Sequence, residues 1–249
     1  MRRHIAQVIA TAVLFCACGR AYDSAGLPRT EAEALASAAF EAGNWRESQM
    51  LYTELLFNYP GASDTDLYLW RLALSAFQQR EWADAEFNLR RITGDFPRSS
   101  LADDAQLQLA RVFWEQRRDY RRDQSPVLEA VNELDLFDDM YPGSALAQEA
   151  RSLRDSCYAD LADRALFVGQ FYARRGLFDA ALLYYRTAMD SYGGLGCMAD
   201  ILISMGDAYL GSGNGFAART FYQRAIDECD LDPERMERAL EGLDRASSR

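Results

Sequence analysis

The sequence contains no lysine, and its single histidine, His4, lies at the extreme N-terminus. All 27 basic residues are therefore arginines. Catalysis by histidine, a lysine Schiff base and a phosphate-loop lysine are excluded for the body of the protein. Histidine is likewise missing from any metal site, and no cluster of metal ligands stands out. We expect no metal and no cofactor.

Basic residues are also outnumbered by acidic ones. The 249 residues include 38 Asp and Glu, which gives a net charge of −11 and an isoelectric point near 4.7. This charge disfavours nucleic acid and anionic membrane surfaces, so we expect protein or peptide partners. Carboxylate catalysis remains, but the pairs Asp103-Asp104 and Asp138-Asp139 point about 100° apart on a helix and do not converge on one bond. The sequence therefore predicts a protein that is not an enzyme.

A hydrophobic run long enough to span a bilayer, about 20 residues, is absent from the N-terminus. The segment Ile5–Phe15 follows two arginines and has the length of a signal-peptide core. Ala17 precedes Cys18, which predicts a lipoprotein signal peptide over residues 1–17 and an acylated Cys18; plain secretion is the alternative. Residues 18–28 have no apolar periodicity and are predicted to be a flexible linker between the lipid anchor and the body.

From Glu31 onward, apolar residues recur at helical spacing between regularly placed turn residues. Trp45 and Trp82 are 37 residues apart, as are Pro60 and Pro97. A small-aromatic series recurs at the same offset: Gly169, Tyr172, Gly176, Ala181, Tyr185 and Ala188 are followed by Gly206, Tyr209, Gly213, Ala218, Tyr222 and Ala225. Small residues let two helices approach closely, so the pattern predicts helix pairs slightly longer than the tetratricopeptide (TPR) repeat of about 34 residues.

The repeats predict an all-α TPR solenoid with a long joining helix and a C-terminal capping helix. The five helix pairs are expected at 29–60, 64–97, 99–142, 162–193 and 197–229. The third pair carries an extra charged loop at 117–126. The proline-free stretch after Pro142 adds about five helical turns, which predicts one helix from Ser144 to Arg175. This helix separates an N-terminal half, 29–142, from a C-terminal half, 143–249.

The end of the chain has the features of a helix start. Asp232 is a suitable N-cap, and Pro233 suits the first turn. Met236, Leu240 and Leu243 give this helix a single apolar stripe. We interpret it as the cap of the solenoid rather than as an exclusive docking surface.

Several short stretches in the long loop and the C-terminal half match a known family. They are Arg122-Asp123-Gln124, Tyr141-Pro142-Gly143-Ser144, Leu161-Ala162, Val168, Phe171-Tyr172 and Arg175-Gly176. Over residues 29–229 the chain resembles the BamD family, the TPR lipoproteins of the outer-membrane β-barrel assembly machine. Ala165 replaces the family's usual glutamate, and Tyr192-Gly193 replaces a later Tyr-Pro, which indicates a divergent member.

The resemblance implies a non-enzymatic subunit on the periplasmic face of the outer membrane, held there by its lipid anchor. It implies that the C-terminal half binds the membrane-proximal POTRA domain of a BamA-like barrel protein. Unfolded outer-membrane proteins, which end in an extended apolar strand with a terminal aromatic residue, are the implied substrates. The alternative is another exported TPR adaptor, serving cell-wall synthesis or envelope division.

Helical phase predicts which residues the first helices of each pair present to the concave face. In the N-terminal half these form an apolar groove for an extended peptide, with Arg111 available to a terminal carboxylate; its residues are Leu67, Trp70, Leu74, Phe77, Leu107, Arg111 and Trp114. Coverage of this groove by neighbouring segments is the alternative. The C-terminal half presents a more polar set, suited to a folded partner: Asp163, Leu166, Gln170, Arg174, Asp200, Ile203 and Asp207.

Two further features are predicted locally. The loop residues Arg122, Asp123 and Gln124 are interpreted as a self-paired structure that orders the third pair, with partner docking as the alternative. Three cysteines remain after Cys18, so at least one thiol is free, most simply Cys157 in the long helix. Cys197 and Cys229 lie about 16 residues on either side of the Gly213-Asn214 turn and are candidates for a disulfide in an oxidising compartment.

Overall fold

The computed structural model describes residues 27–195 and 198–248, which form eleven α helices, one 3₁₀ turn at Gly193–Leu195 and no strand. The helices are α1 Arg29–Glu41, α2 Trp45–Asn58, α3 Thr65–Gln78, α4 Trp82–Asp95, α5 Ala102–Glu115, α6 Ser125–Met140, α7 Ala147–Ala173, α8 Phe178–Tyr192, α9 Ala199–Gly211, α10 Gly215–Glu228 and α11 Pro233–Ser247. The predicted all-α fold is confirmed. The predicted signal peptide, Cys18 and most of the linker lie outside the described residues.

The helices pack in a linear order. Each one contacts its neighbours in sequence, and the more distant pairings that hold several contacts are α5 with α7, α7 with α9 and α9 with α11. Contacts restricted to adjacent elements are typical of a solenoid, in which each repeat is stabilised by the next. The five pairs are therefore α1/α2 to α9/α10, and α11 covers the C-terminal end.

The tight turns inside the pairs require left-handed backbone at one position. Gly43 and Gly176 have φ of 72° and 74°, and Gly213 has φ of 85°. Arg80 occupies the equivalent position of the second pair with φ of 61°. Glycine adopts this conformation without a steric penalty, whereas arginine there costs about 1 kcal/mol.

The long joining helix α7 is present but shorter at both ends than Ser144 to Arg175. At its start, the Ser144 hydroxyl donates to Asp103 (2.6 Å) and accepts from the Leu146 backbone N–H (3.0 Å), which holds Ser144 in the preceding turn. At 27 residues, α7 is about 40 Å long. It supplies Cys157 and Leu161 to one core cluster and Ala162 to the next, so the two halves share one helix.

The last helix begins as predicted. The Asp232 side chain accepts a hydrogen bond from the Arg235 backbone N–H at 2.8 Å, and Pro233 is its first residue. Its inner face is made of small residues, and Gly242 lies directly against the Tyr222 ring. Within the described part of the protein, no helix combines the length and the hydrophobicity that crossing a membrane requires.

Candidate functional site

The first helices of the pairs form one layer of the solenoid. In addition to α8, the second helix of its own pair, α7 contacts α5 on one side and α9 on the other. Helix α9 in turn contacts α11. Among the described residues, the second helices of successive pairs make no comparable contacts with one another. The clefts between first helices are therefore the places where an extended peptide or a partner surface can be bound.

The C-terminal groove, as we name the surface between α7, α9 and α11, includes clefts of about 470, 430 and 350 Å³. Asp163, Leu166 and Gln170 of α7 and Arg174, directly after its last residue, line it as one stripe with a spacing of three or four residues. From the facing helices come acidic residues of α9 and basic residues of α11: Asp200, Asp207, Arg235 and Arg238.

Two ion pairs tie α9 to α11 across this groove. Arg235 donates to both carboxylate oxygens of Asp200, at 3.0 and 2.7 Å, which raises the pKa of the Arg235 guanidinium. Arg238 pairs with one oxygen of Asp207, and the Tyr222 hydroxyl donates to the other at 2.6 Å. Half-exposed pairs of this kind contribute little net stability, so their main effect is to fix the groove's geometry.

The cleft of about 350 Å³, which Asp163 and Asp200 line, has an acidic rim. Burial, and then the carboxylates of Asp160 and Asp200, raise the pKa of Asp163. Burial also raises the pKa of Asp160. An acidic rim favours a basic surface on whatever docks there.

One residue of the predicted C-terminal set is placed differently. Ile203 is 0% exposed and belongs to the core between α9, α10 and α11, so its prediction as a concave-face residue is wrong. The sequence reasoning also missed Arg235 and Arg238. The sequence does contain a signal for them: a spacing of three residues places both arginines on one face of a helix. In the same way, a spacing of seven residues places Asp200 and Asp207 on one face of α9.

In the N-terminal half, Leu67 lines a cleft of about 240 Å³ between α1 and α3. Its side chain is 38% exposed. Glu33, Tyr68 and Arg71 share the cleft. This cleft is narrower and more polar than the predicted continuous apolar groove.

Two residues of the predicted N-terminal groove make other contacts instead of lining a groove. Leu107 is 1% exposed and packs in a core cluster, so the prediction that it faces the groove is wrong. Arg111 forms an ion pair with Glu149 at 2.5 Å and donates to Gln108 at 3.0 Å. Its guanidinium already has a carboxylate partner, which contradicts a free Arg111 waiting for a peptide terminus.

The four other predicted groove residues are half-buried. Trp70 and Phe77 pack against the core, and the Phe77 ring meets Trp82 edge-on with ring centroids 5.4 Å apart. Leu74 lies between them on α3. Trp114 packs on the next core cluster, and the Arg117 guanidinium covers its ring at 3.9 Å.

The loop between α5 and α6 is held by its own side chains. Gln124 is 8% exposed, and its amide lies within 3.3 to 3.5 Å of the Asp119, Arg122 and Asp123 carbonyl oxygens. The hydroxyl and backbone N–H of Ser125 donate to the Asp123 carboxylate and lower its pKa. The Arg122 side chain is exposed.

The same loop docks on α7. Arg164 donates to the Arg121 carbonyl oxygen at 2.8 Å, and the Tyr120 and Phe167 rings meet edge-on with centroids 5.9 Å apart. These contacts support the interpretation of the loop as an ordering element of the third pair. They also place Tyr120 at the edge of the C-terminal groove, beside Asp163.

The cysteines differ in state. Cys157 is a free, fully buried thiol in α7, and burial raises its pKa to about 12. Cys229, directly after α10, is disulfide-bonded. Cys197 lies outside the described residues, so the pairing of Cys197 with Cys229 stays a prediction.

Comparison with known proteins gives a family and two relatives. The family model YfiO, described as an outer membrane lipoprotein, matches residues 28–223. The outer membrane protein assembly factor BamD of Xylella fastidiosa is 24% identical over an alignment of 224 positions, which covers 84% of this protein and 76% of the relative. BamD of Caulobacter vibrioides is 22% identical over 170 residues, which make up 68% of this protein and 56% of the relative.

Solved TPR structures also resemble this protein. The match to a TPR repeats protein from Bacteroides fragilis, which is 14% identical, includes 89% of this protein and 98% of the other, with a TM-score of 0.49. The match to a thermophilic TPR protein from Thermus thermophilus, which is 18% identical, includes 87% and 99%, with a TM-score of 0.38. The alignment with the Caulobacter protein spans little more than half of that relative's length.

Proposed function

Because this protein belongs to the YfiO family of outer membrane lipoproteins, we propose that it is a scaffold subunit of the machinery that assembles β-barrel proteins into the outer membrane. The observation that carries the proposal is the family match over residues 28–223, which spans both halves of the solenoid. Two relatives named as assembly factors point the same way. The subunit acts by binding and positioning, with no catalytic step.

The C-terminal groove is the proposed docking site for a folded partner, a BamA-like protein with POTRA domains. Its walls are fixed by the ion pairs Asp200–Arg235 and Asp207–Arg238, so it presents a preformed polar surface. A partner that is already folded loses little conformational entropy on such a surface. Asp163 stands on its rim and lines two adjoining clefts.

The N-terminal half is the proposed contact for unfolded outer-membrane protein substrates. The cleft at Leu67 accepts one apolar side chain of an extended segment, and Arg71 beside it is held by Glu41 at 3.4 Å. Since the groove is interrupted by packed residues, we propose single side-chain anchoring there rather than a continuous bound strand.

The lipid on Cys18 is the proposed membrane anchor, at the periplasmic face of the outer membrane. The Tyr59 hydroxyl donates to the Leu27 carbonyl oxygen at 3.1 Å, which fixes the start of the body next to the α2–α3 turn. Eight residues lie between Cys18 and Leu27, and the nine steps from one α carbon to the next span at most about 32 Å. The N-terminal half is thereby kept close to the bilayer.

The test is a pull-down of the full-length protein from its own envelope in mild detergent, with mass spectrometry of the bound proteins. We expect a POTRA-barrel protein with the unaltered protein and its loss with Asp163→Arg, which reverses the charge of the groove rim. Asp179→Arg is the matched control, because Asp179 is exposed on α8 and lines none of these clefts. Recovery of cell-wall synthesis or division proteins instead would support the alternative adaptor function.

A further inference from the structure

One corner of the protein combines an exposed aromatic side chain with an absence of charge. Phe57, in the last turn of α2, is 84% exposed, the highest value among the large apolar side chains of the described residues. Pro60 and Gly61, in the turn that follows α2, are exposed as well. None of the nine residues from 55 to 63 is charged, although 26% of the whole sequence is. We name the segment 55–63 the α2 corner.

The equivalent corners of the next two pairs carry charges. Asp95 and Arg98 flank the turn after α4, and Phe96 in that turn is half-buried. At the end of α6, the acidic pair Asp138-Asp139 precedes the exposed Met140. A single exposed apolar side chain on a protein surface is normal. What sets the α2 corner apart is therefore its lack of charge together with its position in the chain.

The α2 corner is joined to the start of the body. Helices α1 and α2 form an antiparallel pair, so the beginning of α1 and the end of α2 lie at the same edge. The Tyr59 hydroxyl of the corner donates to the Leu27 carbonyl oxygen at 3.1 Å. Arg29, the first residue of α1, pairs with Glu33 and with Asp64, which directly follows the corner. These contacts hold the corner and the start of the body together.

We propose that the α2 corner rests in the interfacial region of a neutral, zwitterionic bilayer, with the Phe57 ring inserted among the lipid headgroups. Aromatic side chains favour this region of a membrane. A body with a net charge of −11 is repelled by an anionic surface, whereas the α2 corner has no charged side chain that would lose its hydration on insertion. The inference rests on the proposed lipid anchor at Cys18 and adds a second, protein-mediated contact with the same membrane.

The anchor makes a weak contact of this kind effective. Leu27 lies at most about 32 Å from Cys18, even along a fully extended chain. Insertion of a tethered side chain is an intramolecular step, so it needs far less affinity than the capture of a free protein from solution. Because the inserted corner lies at one end and one edge of the solenoid, its insertion also orients the body relative to the membrane.

The experiment places the full-length, lipidated protein in vesicles of phosphatidylcholine. A cysteine at position 58, next to Phe57, carries a fluorophore, and lipids with a nitroxide high on the acyl chain quench it when it lies at the interface. Asn58 is exposed and Cys157 is buried, so the protein without the added cysteine supplies the labelling blank. We expect quenching in Asn58→Cys. Adding Phe57→Asp is expected to lower the ratio of inserted to free corner about tenfold, because the ring no longer leaves water.

The matched control uses the other end and the opposite edge of the solenoid. Phe216, at the start of α10, is 76% exposed, and Thr220 is exposed one turn later. A fluorophore on Thr220→Cys should escape quenching, and Phe216→Asp should change nothing. Circular dichroism confirms that each variant is folded.

The outcomes separate the corner from the anchor. If the protein floats with the vesicles but the fluorophore at position 58 is not quenched, the inference is overturned and the anchor stands; a protein partner then becomes the candidate to cover Phe57. Equal quenching at positions 58 and 220, or quenching that Phe57→Asp leaves unchanged, also overturns it. If the protein does not float at all, the lipid anchor itself is contradicted, and the inference with it.

Discussion

The Tyr185 ring packs directly against the α carbon of Gly169. A Cβ atom added at residue 169 would lie 2.1 Å from Tyr185 Cε1, and Tyr185 is 1% exposed. The same notch recurs 37 residues later, where a Cβ at Gly206 would lie 2.6 Å from Tyr222. The sequence repeat thus corresponds to a repeated steric fit between the two helices of a pair.

Gly169→Ala is expected to destabilise the protein by about 1–3 kcal/mol, because the buried tyrosine ring has no room to move. The measurement is urea unfolding followed by circular dichroism. Gly94→Ala is the control: among the described residues, no atom outside its chain neighbours and its own helix backbone lies within 4 Å of the added Cβ. This variant should therefore be neutral or gain up to about 1 kcal/mol from helix propensity. Equal stability changes in the two variants would show that the notch is not tightly packed.

Of the two carboxylates that bind Arg90, Glu133 is expected to contribute more to the free energy of unfolding. It is 4% exposed and accepts from Arg90 at 2.9 Å and from Gln106 at 2.8 Å, whereas Glu86 pairs with Arg90 on the helix surface. Glu133→Ala should cost about 1–2 kcal/mol, because it removes one of the two acceptors of the buried Gln106 amide and one carboxylate partner of Arg90. Glu86→Ala should cost less than about 0.5 kcal/mol. Thermal and urea unfolding of both variants decide the order, and a larger loss for Glu86→Ala would contradict it.

The predicted disulfide has a direct chemical test. A non-reduced tryptic digest should contain residues 187–219 linked to residues 225–235, since cleavage after arginine separates Cys197 from Cys229. Cys229→Ser should lower the free energy of unfolding by about 2–4 kcal/mol. Cys157 should resist alkylation until the protein is unfolded, because it is buried and its pKa is about 12. Finding Cys197 alkylated in the unreduced, unfolded protein would rule the pairing out.

The charged loop before α6 should become a protease target when its anchor on α7 is removed. Arg164→Ala deletes the donor to the Arg121 carbonyl oxygen, and trypsin is expected to cleave at the loop arginines several-fold faster. Arg151→Ala is the control, because Arg151 is exposed and, among the described residues, donates only to the Ala147 carbonyl oxygen in its own helix. Unchanged cleavage in Arg164→Ala would mean that the loop is ordered without this contact.

The sequence alone determined the repeat and the elements built from it. Small residues such as Gly169 and Gly206 and the turn glycine Gly213 have local consequences, namely close helix contact and left-handed turns, so their spacing predicts helix pairs directly. The start of α11 at Asp232-Pro233 and the long helix α7 follow from the same kind of local chemistry.

Which helix faces stay exposed depends on how the repeats pack against one another. Helix α5 is buried over the whole run Ala105–Ala110, and α9 over Ile201–Gly206, so a helical phase has no single exposed side to identify there. This is why Leu107 and Ile203 were misplaced. Helical periodicity predicts the exposed face of a helix that has one apolar stripe. It fails for a helix that is enclosed on several sides.

Ion pairing was decided in the same way. Arg235 meets Asp200 across 35 residues of sequence, and Arg111 meets Glu149 across 38. Charges so far apart in sequence have no local signature, because their distance depends on how successive repeats stack. The amino-acid sequence sets which arginines exist, and the stacking determines that Arg111 is paired with Glu149 while Arg174 faces an open cleft.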